Sequence, residues 1–392
     1  MVRQDSLIDG AREVVDRPRC HAIHNHRMPI SHPDSSLISL LEQAVDREAS
    51  DVHLAAGHPP TVRVHGRLEP LAPAALSSEE IKRMAASILP PAVFEAFEEV
   101  KNADCSVSFE RGELWMRFRA NVYLSRDDWC MCLRHIPHQI PPLEWLGFPQ
   151  DLAERLVSHE NGLVLITGET GSGKSTTLAA LIALLRQMRG CHVLTIEEPI
   201  EYIHEPDGRG IVTQREVGRD VDSFADGLKY GLRQDPDVIL VGEIRDRETA
   251  QMAISAAETG HLILATMHTR DAKGALTRLV DLFPHEAQDD IRTQLAMSLR
   301  SVVSQKLLPA ASEGERRVLA LEVLHVTQPV QVTIRSGRIE TLDSALQTGA
   351  KAGMIIIDDW LRRLLREGKI TVETARTFAR DPEAFNATGR TW

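Results

Sequence analysis

The chain has 392 residues and a formal net charge of −11, from 45 Lys and Arg residues against 56 Asp and Glu residues. This length allows two or three domains with cores of their own, and a hydrophobic content of 43% excludes a wholly disordered chain. The acidic balance and an aromatic content of 4% argue against direct binding of nucleic acid. No signal-peptide pattern, apolar run long enough for a membrane span or disulfide framework is found, so we expect a cytoplasmic protein without a transmembrane segment.

Residues 1–34 are polar and lack a sustained apolar period, which predicts a disordered tail. A metal cluster is the alternative, because this segment contains His21, His24, His26 and His32. No Cys or carboxylate ligands with zinc-type spacing accompany these histidines, so we favour a tail without a metal.

Residues 35–138 have the pattern of a small α+β domain. The leucines of SLISLLEQAV recur at helical spacing, and SSEEIKRMAASIL predicts a second helix that begins after a Ser cap. The segments DVHLAA, TVRVHGRL, SVSFE, LWMRFRANVYL and DWCMCLRHI are typical of strands. Cys130 and Cys132 lie in the last of these, and without a second Cys pair they favour a strand over a metal site. The Pro-rich residues 139–150 predict a linker.

Residues 151–392 have a different pattern, in which apolar strands alternate with helices. The predicted strands are GLVLIT, CHVLTI, DVILVG and HLILAT, and helices are expected from Ser175, over 224–233 and over 247–259. Such alternation predicts a parallel sheet that is covered by helices on both faces, so the fold class is α/β. After about Asp271 we expect a mainly helical C-terminal part.

A phosphate-binding loop is predicted between the strand GLVLIT and the following helix, where residues 168–175 read G-x-x-x-x-G-K-S. Glycines let successive backbone N–H groups point at phosphate oxygens, and the helix N-terminus adds the positive end of its dipole. Lys174 is expected to reach the β- and γ-phosphates, and the Ser175 hydroxyl to help hold Mg²⁺. The predicted nucleotide-binding residues are Gly168, Thr170, Gly171, Ser172, Gly173, Lys174, Ser175 and Thr176.

Two strand ends supply candidate carboxylates for the same site. The apolar run VILVG ends in Glu243, which is the Walker B arrangement and predicts an Mg²⁺ ligand that acts through water. The strand HVLTI ends in Glu197, whose carboxylate can orient or deprotonate the attacking water. A third strand, HLILATMHT, has His261 before it and His268 after it, and we expect a polar contact near the γ-phosphate.

The order of GETGSGKSTT, LTIEEPIEYIHE, LRQDPDVILVGEIRD and AETGHLILATMHT resembles the Walker A, Asp box, Walker B and His box of secretion ATPases. More closely, the chain from Ser36 onward resembles the twitching-motility (PilT-like) ATPases of type IV pili, also in ASDVHLAAGHPPTVRVHGRL, FRANVY, VVSQKLL and SALQTG. The resemblance implies a smaller PAS-like N-terminal domain, a C-terminal RecA-like P-loop ATPase domain and a ring-shaped homohexamer. It also implies ATP and ADP with Mg²⁺ between the two domains. The expected partners are an inner-membrane pilus platform protein and related pilus ATPases, on the inner face of the inner membrane.

The resemblance also assigns roles to single residues. Lys174 and Ser175 match the Walker A residues, Glu197 the catalytic acid, Glu243 the Walker B acid, and His261 and His268 the His box. Arg119 and Arg134 match arginines that extend from the N-terminal domain toward the phosphates, where they stabilise the charge on the transferring phosphoryl group.

Three positions depart from the family pattern. Glu198 replaces an Asp, and Asp127 stands where the family has an arginine, with Arg126 one position early. Residues 329–336 retain only the Ile-Arg step of the AIRNLIRE motif that is linked to retraction. A PilU-like accessory motor is therefore the nearest alternative to an autonomous retraction motor.

Other functions are less favoured by the sequence. Pilus assembly is the less favoured direction, because the chain has no C-x-x-C motif of the zinc insertion found in assembly ATPases. A RecA-like nucleic-acid motor and a nucleotide-binding scaffold without hydrolysis are the alternatives from other classes.

Overall fold

The computed structural model describes residues 34–111, 114–136, 139–312 and 314–386. The histidine-rich segment lies outside these residues, so the tail and its metal alternative stay predictions.

The N-terminal unit is an antiparallel sheet covered by helices on one face. Its described strands run in the order β3-β2-β1-β6-β5-β4. The strands are β1 (Asp51–Ala55), β2 (Thr61–Val64), β3 (Arg67–Pro70), β4 (Asn102–Arg111), β5 (Leu114–Ser125) and β6 (Asp128–Ile136). The helices are α1 (Ser35–Asp46), α2 (Ser78–Ile88) and α3 (Pro91–Val100). Cys130 and Cys132 lie in β6, which confirms the prediction of a strand.

Alternation along these strands separates an apolar face from a polar one. Phe118 of β5 and Leu133 of β6 are fully buried under the helices. The residues beside them, Arg119 and Arg134, are paired across the two strands and therefore share the opposite face. The N-terminal unit thus carries Arg119 and Arg134 on the sheet face opposite its helices.

A short helix, α4 (Leu143–Leu146), lies within the predicted linker and ends at Gly147. It is followed by α5 (Gln150–Val157) and the first strand of the second unit. The linker therefore contains ordered structure, and the side chain of Leu143 packs into the core of the second unit.

The second unit is built on a sheet whose described strands run in the order β13-β12-β7-β11-β10-β8-β9. All neighbouring pairs are parallel except β12 with β13. The strands are β7 (Gly162–Thr167), β8 (Cys191–Glu197), β9 (Gly210–Glu216), β10 (Val238–Val241), β11 (Leu262–Met267), β12 (Leu299–Leu308) and β13 (Val318–His325). The helices are α6 (Lys174–Met188), α7 (Phe224–Gly231), α8 (Arg247–Glu258), α9 (Ala272–Asp281), α10 (Gln288–Ser298), α11 (Gln328–Arg335), α12 (Leu342–Thr348), α13 (Ile357–Arg366) and α14 (Val372–Phe378).

Successive residues of the central strands enter cores on opposite faces of this sheet. In β7, Leu163 and Leu165 pack against α7 to α10, whereas Val164 and Ile166 pack against α5, α6 and α13. A strand that is buried on both faces must be apolar throughout, which is why GLVLIT and HLILAT have continuous apolar runs. The predicted α/β class with a helix-covered parallel sheet is confirmed.

The described part after Asp271 is mainly helical, as expected, but it also contains the strands β12 and β13, which the sequence pattern did not predict. In LRSVVSQKLL, polar side chains interrupt the apolar run of β12, and they are buried by contacts from other parts of the fold. The edge strand β9 was also not predicted, since its sequence GIVTQRE is half polar. Tertiary pairing, rather than local pattern, makes these segments strands.

Candidate active site

The loop between β7 and α6 has the curled backbone that a phosphate site requires. Gly168 and Gly173 have φ angles of 151° and 88°, which favour glycine. A Cβ atom on Gly168 would also lie 2.4 Å from the carbonyl oxygen of Gln305. Residues 168–173 form this loop, and Lys174, Ser175 and Thr176 begin α6.

The Lys174 side chain lies inside the loop. Its Nζ donates hydrogen bonds to the carbonyl oxygens of Gly168 and Glu169, at 2.9 and 3.1 Å. Burial lowers the pKa of Lys174, whereas the nearby carboxylates of Glu243 and Glu201 raise it. An ammonium group that is held only by backbone carbonyls can turn to a phosphate that enters the loop.

Glu243, His268 and Thr170 form a line of contacts across the carboxyl edge of the sheet. Nε2 of His268 lies 3.5 Å from Oε1 of Glu243. Its Nδ1 lies 3.4 Å from Oγ1 of Thr170 in the loop. Because β7, β11 and β10 are parallel neighbours, the residues that follow them meet at this edge.

The structure does not bring His261 to this edge. Its carbonyl oxygen accepts a hydrogen bond from the N–H of Gly162, at the start of β7. His261 and His268 are at opposite ends of β11, which at 3.3 Å per residue separates them by about 20 Å. Within one chain His261 therefore lies away from the phosphate loop, and its role as a His box residue stays a prediction.

Glu197 ends β8, and two side chains donate hydrogen bonds to its carboxylate. Burial raises the pKa of Glu197 to about 7, and the hydrogen bonds oppose this shift. The Thr195 hydroxyl donates to its Oε1 at 2.7 Å, and Nε2 of Gln214 donates to the same oxygen at 3.2 Å. A carboxylate with a pKa near 7 can accept a proton at neutral pH.

Several residues around Glu197 were missed by sequence reasoning. Gln214 also donates to the carbonyl of Tyr202, at 2.8 Å. The Tyr202 hydroxyl lies 3.0 Å from Oγ1 of Thr176, in the first turn of α6. Thr195 shares a strand face with Glu197 and could have been found from that spacing. Gln214 lies on β9, which the sequence did not reveal.

Arg119 and Arg134 do not contact the phosphate loop within the described chain. Arg134 donates to Oδ1 of Asp51 at 2.8 Å, and Arg119 lies 3.9 Å from Oδ1 of Asp104. Both guanidinium groups are about half exposed or more, with side-chain exposures of 49% for Arg119 and 64% for Arg134. They are thus available to a second surface.

A different arginine of the same strand face, Arg117, joins the two units. It is 7% exposed and donates to the carbonyl oxygens of Ile200 and Glu201, at 3.2 and 3.4 Å. Burial lowers the pKa of Arg117, and the carboxylates of Glu216 and Glu197 raise it. Sequence reasoning missed this residue, although it stands two positions before Arg119 on the same face.

The departures from the family pattern have structural settings. Arg126 and Asp127 are the two residues of the β5–β6 turn, with φ angles of 53° and 66°. Glu198 lies 2.6 Å from the guanidinium of Arg245. The longer carboxylate at position 198 is therefore paired at the surface.

The phosphate loop and the strand ends with the acidic and histidine residues lie at one edge of the mostly parallel sheet. This arrangement defines a RecA-like P-loop ATPase domain, which follows a smaller N-terminal domain in the chain. Residues 33–380 match the family described as "Type II/IV secretion system protein". The chain belongs to this family.

Individual relatives resemble the chain over most of its length. The type IV pilus retraction ATPase PilT of Pseudomonas aeruginosa is 40% identical over 349 residues, which cover 89% of this chain and 99% of that protein. The type IV pilus ATPase PilU of the same organism is 38% identical over 340 residues, or 87% of each chain. A crystal structure of the pilus retraction motor PilT with bound ADP has a TM-score of 0.77 and 39% identity, over 89% of this chain and 98% of that one. The predicted resemblance to PilT-like secretion ATPases is confirmed.

Two further observations bear on metal and membrane binding. Within the described residues, no three His, Cys, Asp or Glu side chains are grouped as a metal site. No described helix is both long and apolar enough to cross a membrane.

Proposed function

We propose that this chain is an ATPase motor that hydrolyses ATP to ADP and phosphate and uses the energy to retract and disassemble a type IV pilus. The observation that supports the proposal is the position of Lys174, Glu243 and His268 at the phosphate loop, with Glu197 at the end of β8, the strand next to β10. Each of these side chains comes from a different element of the sheet edge, so the grouping is a product of the fold.

The residues have distinct roles in this mechanism. Glu197, held by Thr195 and Gln214, orients the attacking water and takes up its proton. Lys174 leaves the loop carbonyls and binds the β- and γ-phosphates, while the loop N–H groups bind the remaining phosphate oxygens. His268 contacts the terminal phosphate from the neighbouring strand end.

The Ser175 hydroxyl and the Glu243 carboxylate would hold Mg²⁺ together with the nucleotide. Both are oxygen donors, and Mg²⁺ is commonly bound by few protein ligands, with waters and substrate phosphates completing its shell. This arrangement is consistent with a site that has few carboxylates of its own. The ion would neutralise charge on the β- and γ-phosphates when bound.

We propose a homohexamer in which Arg119 and Arg134 act on the phosphates when the domains close. Their exposed guanidinium groups support this role, because such groups can stabilise negative charge that develops during phosphoryl transfer. Within one chain, neither arginine contacts the phosphate loop. A ring would supply the missing contact through domain rotation or a neighbouring protomer.

The pilus role is supported by the identity to PilT over nearly the whole chain. The expected partners are the inner-membrane platform protein of the pilus and related pilus ATPases, with the motor on the inner face of the inner membrane. An accessory role like that of PilU is the second candidate. It is favoured by residues 329–336, which form most of α11 and retain only the Ile-Arg step of the retraction motif.

The decisive experiment is a deletion strain that is scored for surface pili and twitching motility. Complementation uses the wild-type gene and Lys174→Ala, with phosphate release measured on the purified proteins. Excess immobile pili that only the wild type corrects would support retraction, whereas loss of pili would indicate assembly. Phosphate release that is unchanged in Lys174→Ala would contradict ATP hydrolysis at this loop. Stimulation of hydrolysis by single-stranded DNA would favour a nucleic-acid motor instead.

A further inference from the structure

The outer side of the phosphate loop is held by side chains that the mechanism above does not use. A trans peptide places its C=O and N–H groups on opposite sides. A loop that points its N–H groups at phosphates must therefore turn the carbonyl groups of the same peptides away from them. Buried carbonyl groups need hydrogen-bond donors. The buried carbonyl of Ser172 has its donor in Gln305 of β12, and the more exposed carbonyl of Gly171 has one in Arg317, the residue before β13.

Gln305 lies directly behind the loop and is 1% exposed. Its Nε2 donates to the carbonyl oxygen of Ser172 at 2.6 Å. The same Nε2 lies 3.3 Å from the position of a Cβ atom on Gly173, and its backbone oxygen lies 2.4 Å from that of a Cβ atom on Gly168. Gln305 thus lies close behind both ends of the loop.

Core packing alone does not explain a glutamine at this position. Its Oε1 is buried without a hydrogen-bond partner among the described residues. Burying an unpaired polar atom costs free energy, and a methionine of similar length would avoid that cost. What only the glutamine supplies is the N–H donor that faces the Ser172 carbonyl.

We propose that Gln305 is a positioning residue for nucleotide binding. Its amide holds the peptide between Ser172 and Gly173 in the orientation that turns the N–H of Gly173 toward a bound diphosphate. Arg317 donates to the carbonyl of Gly171 at 3.4 Å and holds the preceding peptide more weakly from an exposed position. The inference rests on the proposed function, because it requires a nucleoside di- or triphosphate in the loop.

The test compares Gln305→Met with Ser304→Ala in the full chain. Gln305→Met keeps the side-chain length but removes the donor that fixes the orientation of the Ser172–Gly173 peptide. The Kd for ADP should therefore rise about tenfold. The KM for ATP should rise by a similar factor, with a smaller fall in kcat, because saturating ATP can itself reorient the peptide. Ser304 is the matched control. Its hydroxyl accepts a hydrogen bond from the Thr167 hydroxyl at 2.8 Å and, among the described residues, donates none to a loop carbonyl.

ADP binding is measured by calorimetry, and the Tm of each nucleotide-free variant is measured beside it. A weaker ADP affinity in Gln305→Met, with a Tm close to that of Ser304→Ala, supports the positioning role. An unchanged Kd for ADP overturns it, whatever the Tm. If Gln305→Met does not fold, Gln305→Glu preserves the shape and replaces the donor by an acceptor, and the same two outcomes apply. A wild-type protein that fails to bind ADP would instead overturn the proposed function itself.

Discussion

Oε1 of Glu243 lies 3.5 Å from Nε2 of His268. The other ring nitrogen of this histidine faces the hydroxyl of Thr170 in the phosphate loop, at 3.4 Å. The imidazole therefore lies between the Glu243 carboxylate and the phosphate loop. A phosphate that enters or leaves the loop changes the surroundings of both contacts, so His268 is well placed to report the state of the nucleotide.

We expect His268→Ala to lower the ATPase rate by about 100-fold, because the terminal phosphate and Glu243 both lose a polar contact. His261→Ala is the matched control, since this histidine is at the far end of the same strand. Its ATPase rate should stay close to that of the wild type. Steady-state phosphate release at saturating ATP measures both variants, and an equal loss in both would contradict the placement of His261.

The ATPase rate should depend on the protonation of Glu197. Burial raises the pKa of this carboxyl to about 7, so the fraction of active base should increase as the pH rises through 7. Thr195→Val removes a donor that stabilises the carboxylate at nearly constant side-chain volume. Its kcat profile should therefore rise at a higher pH than that of the wild type. Profiles that coincide would show that the Thr195 hydroxyl does not tune this base.

The same pKa shift predicts a pH-dependent cost to stability. The pKa of Glu197 is about 7 in the folded chain against an ordinary value of 4.5, so the folded state holds its proton to higher pH. The protonated Glu197 side chain contributes its full share to the free energy of unfolding below pH 4.5. This contribution is lost as the pH rises through 7, by up to about 3 kcal/mol. Relative to the wild type, Glu197→Gln should thus gain stability between pH 5 and pH 8. Denaturant unfolding of the nucleotide-free proteins at both pH values measures this gain, and a constant difference would contradict it.

Much of the site could be predicted from the sequence because its residues are local to strand ends. The loop at 168–175 and the acids Glu197 and Glu243 each follow an apolar strand directly, and parallel strands bring their carboxyl ends together. Apolar periodicity and motif spacing are therefore sufficient to predict that the loop and these two acids lie at the same edge of the sheet.

The residues that sequence reasoning missed depend on contacts between distant segments. Gln214 and Gln305 lie on strands with mixed polarity, and their roles come from pairing across the sheet. His261 is near His268 in the sequence, yet the extended strand between them places it at the other edge of the sheet within one chain. Because an extended strand rises about 3.3 Å per residue, residues that are close in sequence can lie at opposite edges of a sheet.

Arg117 and Arg119 should respond differently to truncation, although they lie on one face of β5. Arg117→Ala removes a buried guanidinium that bonds two carbonyls of the segment after Glu197, so we expect a loss of about 2–3 kcal/mol in the free energy of unfolding. Arg119→Ala removes an exposed group 3.9 Å from Asp104, and its loss of stability should stay below about 1 kcal/mol.

Activity then separates the two roles. Arg119→Ala should fold normally and lose ATPase activity, because the proposed role of Arg119 is to stabilise charge on the phosphates. Arg117→Lys should regain only part of the lost stability, since an ammonium group cannot repeat the two-pronged geometry of a guanidinium. Denaturant unfolding and phosphate release on the same preparations measure both effects. Full ATPase activity in a folded Arg119→Ala variant would show that the phosphates are stabilised by other groups.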